Sequence, residues 1–203
     1  MWRRVLGLLV LAGVLWAGGA LYGLHWSATA AAAAAPGMTS GHVRIVRAEP
    51  TRYGQAVVLE DLERQQFGTV LLRRTLFVFW CNWGGSYGYQ LNEREPFRET
   101  GYGHGQGPQQ FVIGIKADPA IRYIAAGTST GQQLADTTLT LAQVRAQPER
   151  YQVQPVVDGY ALFLADEASA FNWTFVAYDE QDEPIAARIR PGSAPAWVKR
   201  LVD

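Results

Sequence analysis

The feature that most limits what this chain can become is the run from Val5 to Leu24, twenty residues without a charged side chain. At about 1.5 Å per helical residue, such a run covers the roughly 30 Å hydrocarbon core of a bilayer. Arg3 and Arg4 stand immediately before it. The cytoplasmic bias of basic residues therefore keeps the N-terminus inside and sends everything after the run across the membrane. Trp2 and Trp26 bracket the run where aromatic belts lie. The pattern predicts an N-terminal transmembrane anchor over 1–26, an alanine-rich spacer over 27–41 and a single extracytoplasmic domain over 42–203, held at the cell membrane as a single-pass protein.

A cleaved secretory signal is the competing reading of the same residues. Arg3-Arg4 would be its basic start, and Ala28-Thr29-Ala30 with the alanines to Ala35 would supply small-residue cleavage sites. The length of the run argues for retention, because signal cores span about 7–15 residues. Either way the body of the chain reaches the same side of the membrane, tethered in one case and secreted in the other.

From Pro36 to Asp203 there are 168 residues, the size of one ordinary domain. Setting Arg3 and Arg4 aside leaves 16 Lys+Arg against 18 Asp+Glu, a balance of −2 that offers nucleic acid no electrostatic attraction. With one cysteine, Cys81, no intramolecular disulfide can form, and the fold rests on packing. Cys81 ends the apolar run Leu76-Phe77-Val78-Phe79-Trp80-Cys81 and reads as a core residue.

Downstream the pattern is strand-like. The segments 42–47, 55–60, 67–74 and 75–83 are rich in β-branched, aromatic and leucine residues, and Arg73-Arg74 marks a tight connection or a bulge between the last two. Alternation places Phe77, Phe79, Cys81 and Trp83 on one face, Val78 and Trp80 on the other. From Gly84 to Pro108 glycine density predicts a long irregular loop around the charged piece 92–99. Strands resume at 110–116 and 121–126 with Asp118-Pro119 as a hairpin-type connection. Thr140-Leu141-Ala142-Gln143 is a capping box that opens a helix ending near Pro148. Asp158-Gly159 predicts a hairpin between 151–157 and 160–165. A second hairpin joins 171–178 to 184–189, and the tail 194–203 reads as a short helix carrying Trp197. The sum is an α+β fold, mainly antiparallel β-sheet with one short helix behind the anchor, with a β-sandwich as the alternative.

The segment order resembles small, uncharacterised single-pass proteins of Gram-positive bacteria. The resemblance is carried by Phe67-Gly68-Thr69-Val70-Leu71-Leu72-Arg73-Arg74, by Trp80 to Gly85, by Gly103-His104-Gly105 and by Val176-Ala177-Tyr178-Asp179. It spans most of the exported part and implies an extracytoplasmic domain without an established activity, so it transfers no functional residue.

Candidate sites follow from the loop. His104, with glycine on both sides, is a ligand or general base near neutral pH, or else a loop histidine without a role. No His-x-x-x-His or Cys-x-x-Cys spacing predicts a metal, and no Gly-x-Ser-x-Gly or Ser-x-x-Lys predicts a nucleophile. The glycine runs match neither phosphate-binding pattern, so no cofactor is expected. What remains is an aromatic group, Trp80, Trp83, Tyr87, Tyr89 and Tyr102 with His104, able to stack on a sugar or peptide or to anchor a protein. Trp83, Tyr87, Tyr102 and His104 are accordingly the expected binding residues, with no catalytic residue assigned. The reading is a binding, sensory or accessory domain that engages an envelope component or a partner membrane protein. Its alternative is an envelope hydrolase using His104 with Glu93, Glu95 or Glu99. The oligomeric state is left open.

Overall fold

The computed structural model describes residues 23–35, 38, 41–52, 54–90, 95–104, 110–128, 139–165, 173–188 and 195–197, together with positions 2, 5–7, 10, 13 and 19 near the N-terminus. Those N-terminal positions are helical. Most of the expected anchor lies outside the described residues, among which no helix is long and apolar enough to cross a membrane. Gly23 takes φ +66° and Leu24 enters a strand, so no helix continues to Leu24.

From Leu24 on, thirteen strands and two short helices are described. In chain order they are β1 (Leu24–His25), α1 (Ala28–Ala33), β2 (Val43–Pro50), β3 (Gln55–Asp61), β4 (Gln66–Thr75), β5 (Phe79–Gln90), β6 (Phe97–His104), β7 (Gln110–Ala117) and β8 (Tyr123–Thr128). After these come α2 (Leu141–Arg145), β9 (Tyr151–Pro155), β10 (Tyr160–Ala165), β11 (Trp173–Tyr178), β12 (Pro184–Arg188) and β13 (Ala196–Trp197). The strands form three antiparallel sheets with orders β1-β5-β4-β3-β2, β10-β7-β6 and β13-β12-β11-β8-β9.

The sheets stack, and side-chain alternation shows how. In β3 and β4, Val57, Leu59, Val70 and Leu72 face α1 and meet Ala31 and Ala32. Ala56, Val58, Phe67 and Leu71 turn the opposite way onto Val112, Tyr160 and Leu162 of the middle sheet. The middle sheet's other face, with Phe111, Ile113, Ile115 and Phe163, packs on Ile124, Trp173 and Phe175 of the third. Behind that sheet Val176, Tyr178 and Ala187 are covered by Leu141 and Val144 of α2. The order is therefore helix, sheet, sheet, sheet, helix. A strand buried on both faces carries apolar residues at successive positions, which is why β7, β10 and β11 read as near-continuous apolar runs.

Gly114 shows how closely two layers approach. A Cβ there would lie 2.4 Å from Thr69 Oγ1 and 2.9 Å from Val58 Cγ2. Only glycine lets β7 pass under the first sheet at this distance.

Several sequence expectations are corrected here. The expected alanine-rich spacer over 27–41 holds the separate helix α1. Ser27 caps α1 by accepting the Ala30 amide at 3.1 Å, and Ala31 and Ala32 are buried. The turn between β4 and β5 falls at Leu76–Val78 rather than at Arg73-Arg74, so Phe77 sits in a turn and not on a strand face. Much of the expected 84–108 loop is strand, because the glycines act as irregularities within β5: register shifts occur at Phe67/Gly68, opposite Gly88 with φ +87°, and at Leu71/Leu72, beside Gly84 with φ +140°. The segments 91–94 and 105–109 lie outside the described residues.

Neither Asp118-Pro119 nor Asp158-Gly159 joins hairpin strands. Each sits where the chain leaves one sheet for another, since β7 and β10 belong to the middle sheet and β8 and β9 to the third. The Asp158-Gly159 turn itself does form, with φ +52° and +80° and the bridge Val157 to Tyr160. The α2 capping box and the β11–β12 hairpin are as expected. Ala196–Trp197 is a strand paired with β12 rather than part of a helix.

Candidate functional site

β5 starts at the turn after β4 and crosses the first sheet from β1 toward β6. At its glycines the backbone changes direction, which opens a cleft of about 420 Å³ lined by Gly23, His25, Ala34, Cys81, Asn82, Trp83, Gly84 and Tyr87. One wall is β5. The other is the segment Gly23–Ala34, held in place because Leu24 pairs with Cys81 and His25 with Trp80. Asn82 Oδ1 accepts the Gly84 amide at 2.9 Å and fixes the kink. Cys81 is half-buried, and its thiol donates to the Arg73 carbonyl at 3.5 Å and lies 3.6 Å from Thr75 Oγ1.

Two of the expected binding residues, Trp83 and Tyr87, thus share a cleft. The Arg73 guanidinium lies over the Trp83 ring, 4.7 Å from its centre, a stacking that presents the indole as a half-buried, rigid platform. Tyr102 belongs to the neighbouring strand β6. Its hydroxyl donates to the Trp83 carbonyl at 3.5 Å, across Gly84, where a Cβ would meet that same hydroxyl. The Tyr102 ring lines a different cavity. His104 ends β6 opposite Gln110, and its side chain lies outside the described residues.

That second cavity holds about 120 Å³ between Glu99, Gly101, Tyr102, Phe111, Ile113, Phe175 and Arg188. Arg188 Nη1 donates to Glu99 Oε1, and Nη2 donates to the Trp173 carbonyl at 2.9 Å. Burial pushes the Glu99 carboxyl above the ordinary range for glutamate, against the lowering pull of Arg188. Its size suits small solvent molecules rather than a substrate. Of the other carboxylates considered with His104, Glu95 pairs with Arg98 at 3.7 Å, and Glu93 lies outside the described residues.

A third, shallow groove of about 620 Å³ lies at the end of the third sheet, between Pro119, Ala120, Arg122, Asp179, Glu180, Gln181, Ile185 and Trp197. Asp179 is occupied by its own turn, accepting from the Gln181 and Glu183 amides at 2.9 and 3.0 Å. Among the described residues no three His, Cys, Asp or Glu side chains come close enough to hold a metal.

His25, Asn82 and Arg188 were not singled out from the sequence. His25 reads there as the flank of an apolar run, and nothing local says that β1 would return it to β5. Arg188 lies in the expected hairpin strand 184–189, where nothing local marks it out. Compared with protein-family models, with curated proteins and with solved structures, the chain matches none. The β5 cleft has to be read from its own chemistry: two aromatic rings, an imidazole, an amide and a thiol.

Proposed function

We propose that this protein is a membrane-tethered extracytoplasmic domain that binds an envelope component or a partner membrane protein, and that the β5 cleft receives it. The observation that carries the reading is the cleft's construction from Trp83 and Tyr87 on one side and the segment directly after the N-terminal apolar run on the other. Aromatic platforms with a few polar groups favour sugars, peptides and protein anchors. The hydrolase alternative draws on Glu99, whose carboxyl is engaged by Arg188.

The test is crosslinking of the full chain in native membranes, followed by mass spectrometry, for the natural sequence and for Trp83→Ala with Tyr87→Ala. Partners captured by the natural sequence and lost from the variant, at unchanged melting temperature, support the cleft. An unchanged partner set removes it.

A further inference from the structure

The turn between β4 and β5 is built against the usual rules. Leu76, Phe77 and Val78 are 69%, 91% and 50% exposed. Leu76 and Phe77 also hold φ at +51° and +62°, the left-handed region where bulky side chains are rare. A hairpin selected only to turn would carry asparagine or glycine there. Strained, exposed apolar residues at a hairpin tip fit a surface that meets something apolar.

The neighbours of the tip identify what that is. Phe79, the first residue of β5, packs its ring at a tilt against Trp26 with ring centres 4.4 Å apart, and Trp26 is itself 59% exposed. A Cβ on Gly19, inside the apolar run, would lie 4.0 Å from Phe79 Cε1. The tip is therefore continuous with the end of the segment that enters lipid. Directly behind it, Arg73 and Arg74 are exposed and lie over Trp83 and Trp80 at 4.7 and 5.5 Å from the ring centres. Counting back from the tip, the paired positions are Thr75 with Phe79, against which Trp26 lies, then Arg74 with Trp80, then Arg73 with Cys81. Apolar tip, then aromatic rings, then arginines is the order met on passing from acyl chains through the interface to the headgroups.

We propose that the β4–β5 hairpin is a membrane wedge: Leu76, Phe77, Val78 and Trp26 insert into the interfacial layer of the bilayer around the N-terminal helix, with Arg73 and Arg74 at the phosphates. This fixes the orientation of the whole domain, so that the β5 cleft opens close to the lipid surface. The inference rests on the reading of residues 5–24 as a retained anchor.

The experiment uses the full chain with Cys81→Ser and one new cysteine, either Phe77→Cys or Leu62→Cys, each labelled with the environment-sensitive fluorophore NBD. Leu62 is exposed in the turn at the opposite end of β4, about 30 Å away at the rise of a strand. The protein is reconstituted in vesicles of phosphatidylcholine and phosphatidylglycerol and floated on a density gradient. In the floated fraction the label at 77 is expected to shift to the blue, to lose most of its emission to lipid-borne spin label and to resist aqueous iodide. The label at 62 is expected to remain open to iodide. If the protein floats and the two labels are equally open to iodide, the wedge is overturned and the anchor stands. If the protein does not float, the anchor reading fails and the wedge with it.

Discussion

At the scale of single residues, a buried polar contact joins the first and middle sheets. Tyr160 is fully buried between the first and middle sheets, and its hydroxyl donates to Glu60 Oε2 at 2.9 Å. Burial and the neighbouring Glu60 charge both push the Tyr160 pKa upward. Glu60 also takes Arg44 Nη2 at 3.3 Å, so its charge is shared between one neutral and one cationic donor. Tyr160→Phe leaves Glu60 with the arginine alone and is expected to cost about 1–3 kcal/mol, read from urea denaturation at neutral pH. The sign of the pH dependence follows from linkage. A group whose folded pKa is raised supports the fold below its unfolded pKa of about 10 and loses that support as the pH climbs through the folded value. The natural protein should therefore lose stability above about pH 10, and the Phe variant should show a smaller loss over that range.

At the scale of elements, the β4–β5 hairpin and the Asp158-Gly159 turn make an instructive pair. Both place consecutive residues in the left-handed region. Asp-Gly suits it, and Leu-Phe does not. Replacing Leu76 by asparagine and Phe77 by glycine relieves the tip, and the double variant is expected to gain about 1 kcal/mol in detergent solution, seen as a higher melting temperature. A loss of stability instead would mean that Leu76 or Phe77 supports the fold from the tip. α1 makes a complementary case. Six residues are too short to hold a helix by propensity, and its stability comes from the Ser27 cap and from alanines small enough to lie flat on the first sheet. A sequence that looks like a featureless spacer is here a packing element, because alanine favours the helix and its single methyl still lets that helix come close.

At the scale of the whole molecule, the middle sheet is the keystone. It has both faces covered, and the four apolar clusters divide between the layers it separates. Gly114→Val thrusts two methyl groups into Thr69 and Val58, across the boundary between the first and middle sheets. Overpacking of this kind costs about 1–3 kcal/mol. The loss should appear in denaturant unfolding as an earlier midpoint with an unchanged slope. A midpoint equal to that of the natural protein would mean that the layers can separate without penalty.

Local chemistry was enough to mark most strands, the α2 capping box, the β11–β12 hairpin and the mainly antiparallel character of the fold, since these depend on alternation, capping and turn residues that act over a few positions. Of the four binding residues it named, Trp83 and Tyr87 line one cavity and Tyr102 another, and the His104 side chain lies outside the described residues. Which strands pair was decided only by tertiary structure. Asp118-Pro119 and Asp158-Gly159 make tight turns, yet the strands on either side part into different sheets, because each apolar face gains more by covering the middle sheet than by pairing with its neighbour in sequence. The same holds for the cleft: β1 brings His25 back to β5 over more than fifty residues, a closure that no local signal encodes.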